Sequence, residues 1–215
     1  MNQVVNYQKE LDRLIECFVK EGRVPTLLLH SCCAPCSSYC LEYLAQYFHI
    51  TVFYYNPNIN PKEEYERRVI EQQRLIEELK VPNPISFRLG NYDIERFYAM
   101  AKGLEKEPEG GNRCFNCYEL RLREAAIAAK ELGFDYFTTT LSISPHKNAT
   151  KLNKIGKAVG EEYGVSYLPS DFKKRNGYKR SVELSKEYNL YRQDYCGCIY
   201  SKLEAEERTK DKENR

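Results

Sequence analysis

Five short runs of apolar and β-branched residues alternate with longer helical segments along this chain of 215 residues. Such alternation is typical of an α/β domain, in which a parallel sheet is covered by helices on both faces. The sequence therefore predicts a parallel sheet of about five strands, whose order the pattern does not give. The runs predicted as strands span residues 26–30, 50–55, 85–89, 136–141 and 165–168. The segments predicted as helices span residues 36–48, 61–80, 93–100, 118–132, 148–163 and 179–188.

The domain organisation follows from the absence of any internal repeat or linker within the alternating region. We expect residues 1–201 to form a single α/β domain. Residues 202–215 are mostly charged, and we expect them to form a frayed C-terminal tail.

Charge and hydropathy exclude some classes of protein. The 33 Lys and Arg residues nearly balance the 31 Asp and Glu residues, so the net charge of +2 makes no global case for nucleic acid. No apolar run approaches the roughly 18–20 residues that a membrane span needs. The N-terminal segment carries acidic residues and does not resemble a secretory signal. These features predict a cytoplasmic protein without a membrane partner.

Polar, proline and cysteine residues follow each predicted strand. In an open α/β sheet, ligands bind outside the carboxyl ends of the strands. If the strands are parallel, the following segments share one edge of the sheet, and that edge holds the site. These segments are residues 31–36, 56–61, 90–93, 142–146 and 170–172.

Cysteines are the most informative side chains for chemistry. Seven of the nine fall into three short groups, and structural disulfides are rare in a reducing cytosol, so the groups indicate metal binding or catalysis. Two Cys-x-x-Cys pairs can supply four thiolates to zinc or to an iron–sulfur cluster. Spacing alone leaves zinc, a cluster and metal-free dithiols open, but the position after a strand favours a reactive centre. The groups are Cys32, Cys33 and Cys36; Cys114 and Cys117; and Cys196 and Cys198.

The Cys196–Cys198 pair and the two isolated cysteines have different predicted roles. A disulfide between Cys196 and Cys198 would close a small strained ring, so this pair is either a redox switch or a pair of ligands to a second metal. Cys17 and Cys40 are expected to be buried, because free cysteine packs as a small hydrophobic residue.

A basic stretch follows the last predicted strand. Lysine and arginine neutralise phosphates, and aromatic faces stack on bases, so the stretch is a candidate for RNA binding. The alternative is an ordinary solvated loop. The basic residues are Lys173, Lys174, Arg175, Lys179 and Arg180, interspersed with Phe172 and Tyr178.

Several long motifs occur together in one order, namely LHSCCAPCS at 29–37, YNPNI at 55–59, EPEGGNRCFNCY at 107–118, TTLSISP at 139–145 and LYRQDYCGCIYS at 190–201. Through these motifs the chain resembles the cobalamin-independent epoxyqueuosine reductases over roughly 26–201.

This resemblance implies a HUP-like, Rossmann-like α/β fold and the last step of queuosine synthesis in tRNA. In that step an epoxide is reduced to an alkene and the oxygen leaves as water. The implied partners are the anticodon loop of a queuosine-family tRNA and an external electron donor. The resemblance further implies a [4Fe-4S] cluster on Cys32, Cys33, Cys114 and Cys117. The remaining thiols are Cys196, Cys198 and nearby Cys36. Cys196 and Cys198 would be a redox-active pair or, with Cys36 nearby, ligands of a second metal, iron or zinc.

Removing an epoxide oxygen takes two electrons and two protons, so a proton donor must lie within hydrogen-bond reach of that oxygen. Candidate donors are Asp171, Asp194 and Tyr195. The basic residues of 173–180 are expected to hold the phosphates of the anticodon loop.

Two other functions compete with reduction. A zinc-stabilised RNA-binding module without turnover would use the same thiols. A tRNA sulfur-transfer enzyme would hold sulfide on a cluster, but the Ser-Gly-Gly-x-Asp-Ser loop of ATP-dependent tRNA-thiolating enzymes is missing.

Overall fold

The computed structural model describes residues 5–213 of the chain. The strands are β1 Thr26–His30, β2 His49–Tyr54, β3 Ile85–Leu89, β4 Tyr136–Thr139 and β5 Ser166–Tyr167. The α-helices are α1 Tyr7–Glu21, α2 Ala34–Leu44, α3 Lys62–Glu78, α4 Ile94–Ala101, α5 Asn112–Glu131, α6 Ala149–Tyr163, α7 Gly177–Glu187 and α8 Ile199–Glu213. A short 3-10 helix spans Thr140–Ile143.

The strands form one all-parallel sheet in the order β3-β2-β1-β4-β5. This arrangement confirms the predicted α/β class and is Rossmann-like. The chain leaves β1 toward one edge of the sheet and later returns to its other side at β4. The loops after β1 and β4 therefore diverge at the centre of the sheet, which is where α/β folds of this kind form a binding crevice.

Alternate residues of β1 enter different cores, because side chains of a strand point to opposite faces in turn. Leu27 and Leu29 join the core formed with α1, α2 and α3, whereas Leu28 joins the core formed with α5 and α6. All three leucines are fully buried. Helices thus cover both faces of the sheet, as predicted.

Two boundaries that affect the site differ from the sequence prediction. The α5 helix begins at Asn112 rather than at Tyr118, so Cys114 and Cys117 lie in a helix. The predicted fourth strand ends at Thr139, and the chain turns into the 3-10 helix beneath the cavity described below. The glycines at 110 and 111 suggested a longer loop; instead Gly111 is the N-cap residue of α5.

The C-terminal segment is the largest correction. Residues 202–213, expected to be frayed, form most of α8. Ser201 and Ala205 are buried, and Glu204 accepts a hydrogen bond from Arg113 at 3.2 Å, so tertiary contacts hold a helix whose composition resembles a solvated tail. Among the described helices, none combines the length and hydropathy of a membrane span.

Candidate metal centre

The first cysteine group surrounds the N-terminus of α2. Cys33 is the N-cap residue of that helix and Cys36 lies in its first turn. The Sγ atoms of Cys32, Cys33 and Cys36 all lie within 4.8 Å of one another, and those of Cys32 and Cys33 are 3.8 Å apart. Within residues 5–213, no other three cysteine, histidine or acidic side chains form such a group. These three thiols can ligate one metal ion.

A buried polar network holds the loop that carries these thiols. Gln72 of α3 accepts hydrogen bonds from Ser31 Oγ at 2.7 Å and from Ser37 Oγ at 2.8 Å. Asn56, after β2, donates to the Ser31 carbonyl at 2.8 Å. The loop between β1 and α2 is therefore fixed from both sides, which pre-positions the thiols.

His30 ends β1 directly before this loop and is fully buried. Its Nε2 lies 3.0 Å from the Tyr55 carbonyl and its Nδ1 lies 2.9 Å from Thr139 Oγ1. The carbonyl can only accept, so Nε2 carries the proton and Nδ1 accepts from the threonine hydroxyl. Burial lowers the pKa of His30 to about 4, followed by the effect of Arg121. His30 is therefore neutral. Its two ring hydrogen bonds link β1 to β4 and to the residue that follows β2.

The two residues of the second cysteine group lie about one helical turn apart on α5. Cys114 and Cys117 are separated by three residues, which brings side chains of a helix onto one face. Gly110 N–H donates to Cys114 Sγ at 3.3 Å. Together with Cys196 and Cys198, these thiols line a small cavity of about 20 Å³.

The third group is the Cys196-Gly197-Cys198 turn, which docks on the loop after β2. Asn60 N–H donates to the Gly197 carbonyl at 2.9 Å, and Arg68 Nη1 donates to the Cys196 carbonyl at 3.2 Å. Gly197 has φ +127°, and a Cβ there would lie 2.9 Å from Ile59, so only glycine fits. All nine cysteines are free, and the disulfide between Cys196 and Cys198 stays a prediction.

Each cysteine group lies at the N-terminus of a helix. Cys33 precedes α2, Cys114 lies in the first turn of α5, and Cys198 Sγ accepts from Ser201 N–H at 3.4 Å at the start of α8. The positive end of a helix dipole favours thiolate over thiol. The fold therefore directs three such ends at one region, which suits anionic sulfur ligands.

A larger cavity of about 490 Å³ opens beside the first cysteine group. Its walls include the three thiols of that group together with Asp194, Tyr195 and Cys196. Glu109, Lys147 and Cys196 line both the larger and the smaller cavity, so the two adjoin at these residues. The thiol centre thus borders a space large enough for a small-molecule or nucleoside group.

Two cations face the thiols without a carboxylate partner within residues 5–213. Arg121 is fully buried; its Nη1 donates to Asn56 Oδ1 at 3.2 Å and its Nη2 has no partner. Lys147 is partly buried and forms no ion pair. Burial alone would lower the pKa of both side chains, but nearby cysteines raise it above the ordinary value. Both residues therefore stay charged and supply positive potential to the thiol centre.

The three clustered thiols differ in acidity. Hydrogen bonds from Cys33, and next from Cys36, hold the pKa of Cys32 well below its usual range. The same contact with Cys32 raises the pKa of Cys33 to about 12 and that of Cys36 well above its usual range. Burial raises the pKa of Cys117 to about 12. In the absence of a metal ion, these pKa shifts favour a thiolate at Cys32 and protonated thiols at Cys33 and Cys36. Binding of a metal ion by all three would displace the two remaining protons.

The structure separates the three predicted proton donors. Asp194 and Tyr195 line the larger cavity. Asp171 is absent from that lining, and its Oδ1 lies 3.1 Å from Lys173 Nζ. Burial raises the pKa of Tyr195, with Glu64 adding to the effect.

The residues of the predicted basic patch also differ in their contacts within the protein. Lys173 donates to the Ser142 carbonyl at 3.0 Å, Arg175 pairs with Asp12, and Arg180 pairs with Glu42. Lys174 and Lys179 are exposed and make no ion pair with a described carboxylate.

Sequence reasoning missed several residues that line the larger cavity, namely Lys147, Arg192 and Arg208. Lys147 follows the 139–145 motif closely enough to have been found, and Tyr178, also in the lining, lies inside the basic patch. Arg208 gave no signal, because it belongs to the segment taken for a tail. Of the two cysteines outside the groups, Cys40 is buried as predicted and Cys17 is exposed, which corrects that prediction.

Comparison with known proteins agrees with these features. A family model described as epoxyqueuosine reductase QueH matches residues 27–204. The epoxyqueuosine reductase QueH of Streptococcus pyogenes serotype M1 is 48% identical over 202 residues, which cover 93% of this chain and 79% of that protein. The Staphylococcus epidermidis protein of the same name is 46% identical over 206 residues, covering 94% and 87%. The Thermotoga maritima protein is 37% identical over 189 residues, covering 85% and 93%. The match over most of both chains confirms the resemblance, and the chain belongs to the epoxyqueuosine reductase QueH family.

Proposed function

We propose that this chain reduces epoxyqueuosine in tRNA to queuosine, the last step of queuosine synthesis, with an iron–sulfur cluster and without cobalamin. Membership of the epoxyqueuosine reductase QueH family supports the reaction. The substrate is the anticodon loop of a queuosine-family tRNA, and an external donor supplies the electrons.

The donor set fits an iron–sulfur cluster. Thiolates are the ligands such clusters use, and seven thiols line two adjoining cavities. Arg121 offers independent support. Its fully buried Nη2 has no hydrogen-bond partner, and no carboxylate within residues 5–213 forms an ion pair with its guanidinium. A buried cation of this kind is costly unless an anionic group lies beside it. A cluster bound by four thiolates is such a group.

The proposed cluster ligands are Cys32 and Cys33, from the loop between β1 and α2, and Cys114 and Cys117, from α5. Cys196 and Cys198, with Cys36, form either a redox-active pair or the ligands of a second metal, iron or zinc. When bound, the cluster supplies single electrons to the adjoining cavity.

The chain's own residues would manage charge and protons. The overall change is epoxide plus two electrons and two protons to alkene plus water. Opening the epoxide places negative charge on its oxygen, and the charge of Lys147 in the cavity wall would stabilise that oxygen. Asp194 and Tyr195 line the same cavity and are the proposed proton donors. Asp171 is a less direct candidate, because it pairs with Lys173.

One observation carries the proposal: a nucleoside-sized cavity shares Lys147 and Cys196 with a thiol-lined cavity that contains an uncompensated buried arginine. A structural zinc site would need neither the cavity nor more than four thiols.

The test is reduction of tRNA that carries epoxyqueuosine. Anaerobically purified protein with a chemical reductant should yield nucleosides that have lost one oxygen atom, as read by mass spectrometry. Cys114→Ser should abolish the product, whereas Cys17→Ser changes an exposed thiol outside the site and should not. Recovery of unchanged epoxyqueuosine with iron-loaded wild-type protein would rule out the activity.

A further inference from the structure

The geometry points to a single-stranded RNA loop held at the mouth of the larger cavity by Tyr178, Arg192 and Arg208, with the exposed Lys174 and Lys179 on the same segment of the chain as Tyr178. This inference rests on the proposed function and names the residues that bind its substrate. The RNA contact then excludes three of the five residues of the basic patch and includes Arg208 of α8.

Three of the five basic residues of the patch are engaged by contacts within the protein. Lys173 Nζ lies within 3.3 Å of two backbone carbonyls, those of Ser142 and Lys147, and serves to pin the loop. Arg175 and Arg180 are held by Asp12 and Glu42. A phosphate would have to displace these carboxylates, so these residues are poor RNA contacts.

Four other cations are exposed and make no ion pair with any carboxylate in the described part of the chain: Lys174, Lys179, Arg192 and Arg208. Arg192 and Arg208 line the cavity itself. Arg192 Nη1 donates to Ser185 Oγ at 3.1 Å, which orients the guanidinium and leaves other N–H groups free. Arginine in this state is suited to contact phosphate oxygens.

Tyr178 supplies the aromatic face. It is 40% exposed and lines the cavity from the first turn of α7. The preceding Gly177 is packed so closely that a Cβ there would lie 2.0 Å from the Phe172 carbonyl oxygen. The start of α7 is therefore fixed, and Tyr178 with it. An exposed, positioned aromatic ring is what unpaired bases stack on.

These features favour a single strand over a duplex. A base in a duplex is already stacked and paired, so it can neither enter the cavity nor cover Tyr178. A loop can place one nucleotide in the cavity of about 490 Å³ while its neighbour stacks on the ring and the flanking phosphates reach Arg192 and Arg208.

The experiment measures binding rather than turnover. The probe is an RNA hairpin whose loop has the anticodon-loop sequence of a queuosine-family tRNA without the modified base. The comparison probe is an RNA duplex with the same number of phosphates. Affinity is followed by fluorescence anisotropy on anaerobically purified, iron-loaded protein at several salt concentrations, and an unchanged visible spectrum verifies each variant.

We expect Tyr178→Ala to weaken hairpin binding about tenfold and Tyr178→Phe to bind like wild type, because stacking needs the ring and not the hydroxyl. Arg192→Ala/Arg208→Ala should lower the slope of log affinity against log salt by about 1.4. The matched control, Lys20→Ala/Lys80→Ala, removes two exposed charges at the opposite edge of the sheet and should change neither quantity.

Three results would overturn the inference: hairpin affinity of the Arg192/Arg208 variant equal to that of the control, equal loss in Tyr178→Phe and Tyr178→Ala, or the same loss of affinity for the duplex. The proposed function fails separately. Protein that binds the hairpin through these residues but leaves epoxyqueuosine unreduced refutes the reaction alone, and an active enzyme with unaltered binding in the variants refutes the RNA contact alone.

Discussion

At the scale of single residues, Arg121 is the most informative side chain because its charge is uncompensated. It is buried beside Cys117 and lines the smaller cavity, where its charge would be costly in an empty site. A positive charge next to a metal centre stabilises the state that has gained an electron. If the thiols hold the proposed cluster, Arg121 would therefore raise its reduction potential as well as affect folding.

We predict that Arg121→Met lowers the reduction potential of the iron-loaded protein by on the order of 50 mV, the effect of one partly screened charge. Arg121→Lys keeps the charge and should stay near the wild-type potential. Lys154→Gln, which removes an exposed charge on α6, is the control. The measurement is an anaerobic redox titration, and identical potentials in Arg121→Met and wild type would contradict the assignment.

His30 makes a second prediction, for stability against pH. Its pKa is about 4 in the folded protein and near 6.5 when unfolded, so the unfolded chain binds more protons between these values. Stability from neutral His30 is complete above pH 6.5 and is lost as the pH falls toward 4. The loss amounts to about 3 kcal/mol.

The comparison is between wild type and His30→Asn in urea unfolding at several pH values. The variant should be less stable at neutral pH, because Thr139 and the Tyr55 carbonyl lose partners, and the difference should narrow by about 3 kcal/mol between pH 6.5 and 4. His49→Gln removes an exposed imidazole and should track wild type. A constant difference across this range would show that His30 does not titrate as described.

At the scale of elements, the site is built from helix N-termini. The strands were predictable because their apolar runs are short and end in polar, proline or cysteine residues. The start of α5 was not, since Gly110 and Gly111 favour a loop locally, whereas Arg113 ties the segment down through the carbonyls of Leu104 and Glu105. Tertiary contacts of that kind leave no local pattern.

The α8 helix shows the same limit and provides a third prediction. Glu204 accepts from Arg113 Nη2 at 3.2 Å and from Glu109 N–H at 3.1 Å, and the Arg113 side chain is 2% exposed. Glu204→Ala should cost about 1–2 kcal/mol of unfolding free energy, because a buried guanidinium loses its carboxylate. Glu206→Ala, on the exposed part of the helix, is the control. Equal chemical denaturation midpoints for the two variants would indicate that α8 does not dock as described.

At the scale of the whole molecule, the parallel sheet explains why distant motifs form one site. Segments around residues 32, 56, 114, 147 and 196 meet because strands β1, β2 and β4 end at one edge. This convergence was predictable from the alternating pattern. The grouping of thiols was not, because it depends on helix starts: Cys36 joins Cys32 and Cys33, while Cys114 and Cys117 share a cavity with Cys196 and Cys198. Arg208 could not be found from the sequence, because it belongs to a segment whose charged composition resembles a solvated tail.

The most direct test of the central claim is the iron and acid-labile sulfide content of anaerobically purified protein, measured together with zinc. We expect about four iron and four sulfide per chain in wild type, with more iron if a second metal site is filled. The content should be retained in Cys17→Ser and lost in Cys32→Ser or Cys114→Ser. Wild-type protein saturated with zinc and free of sulfide would contradict an electron-delivering centre at these thiols.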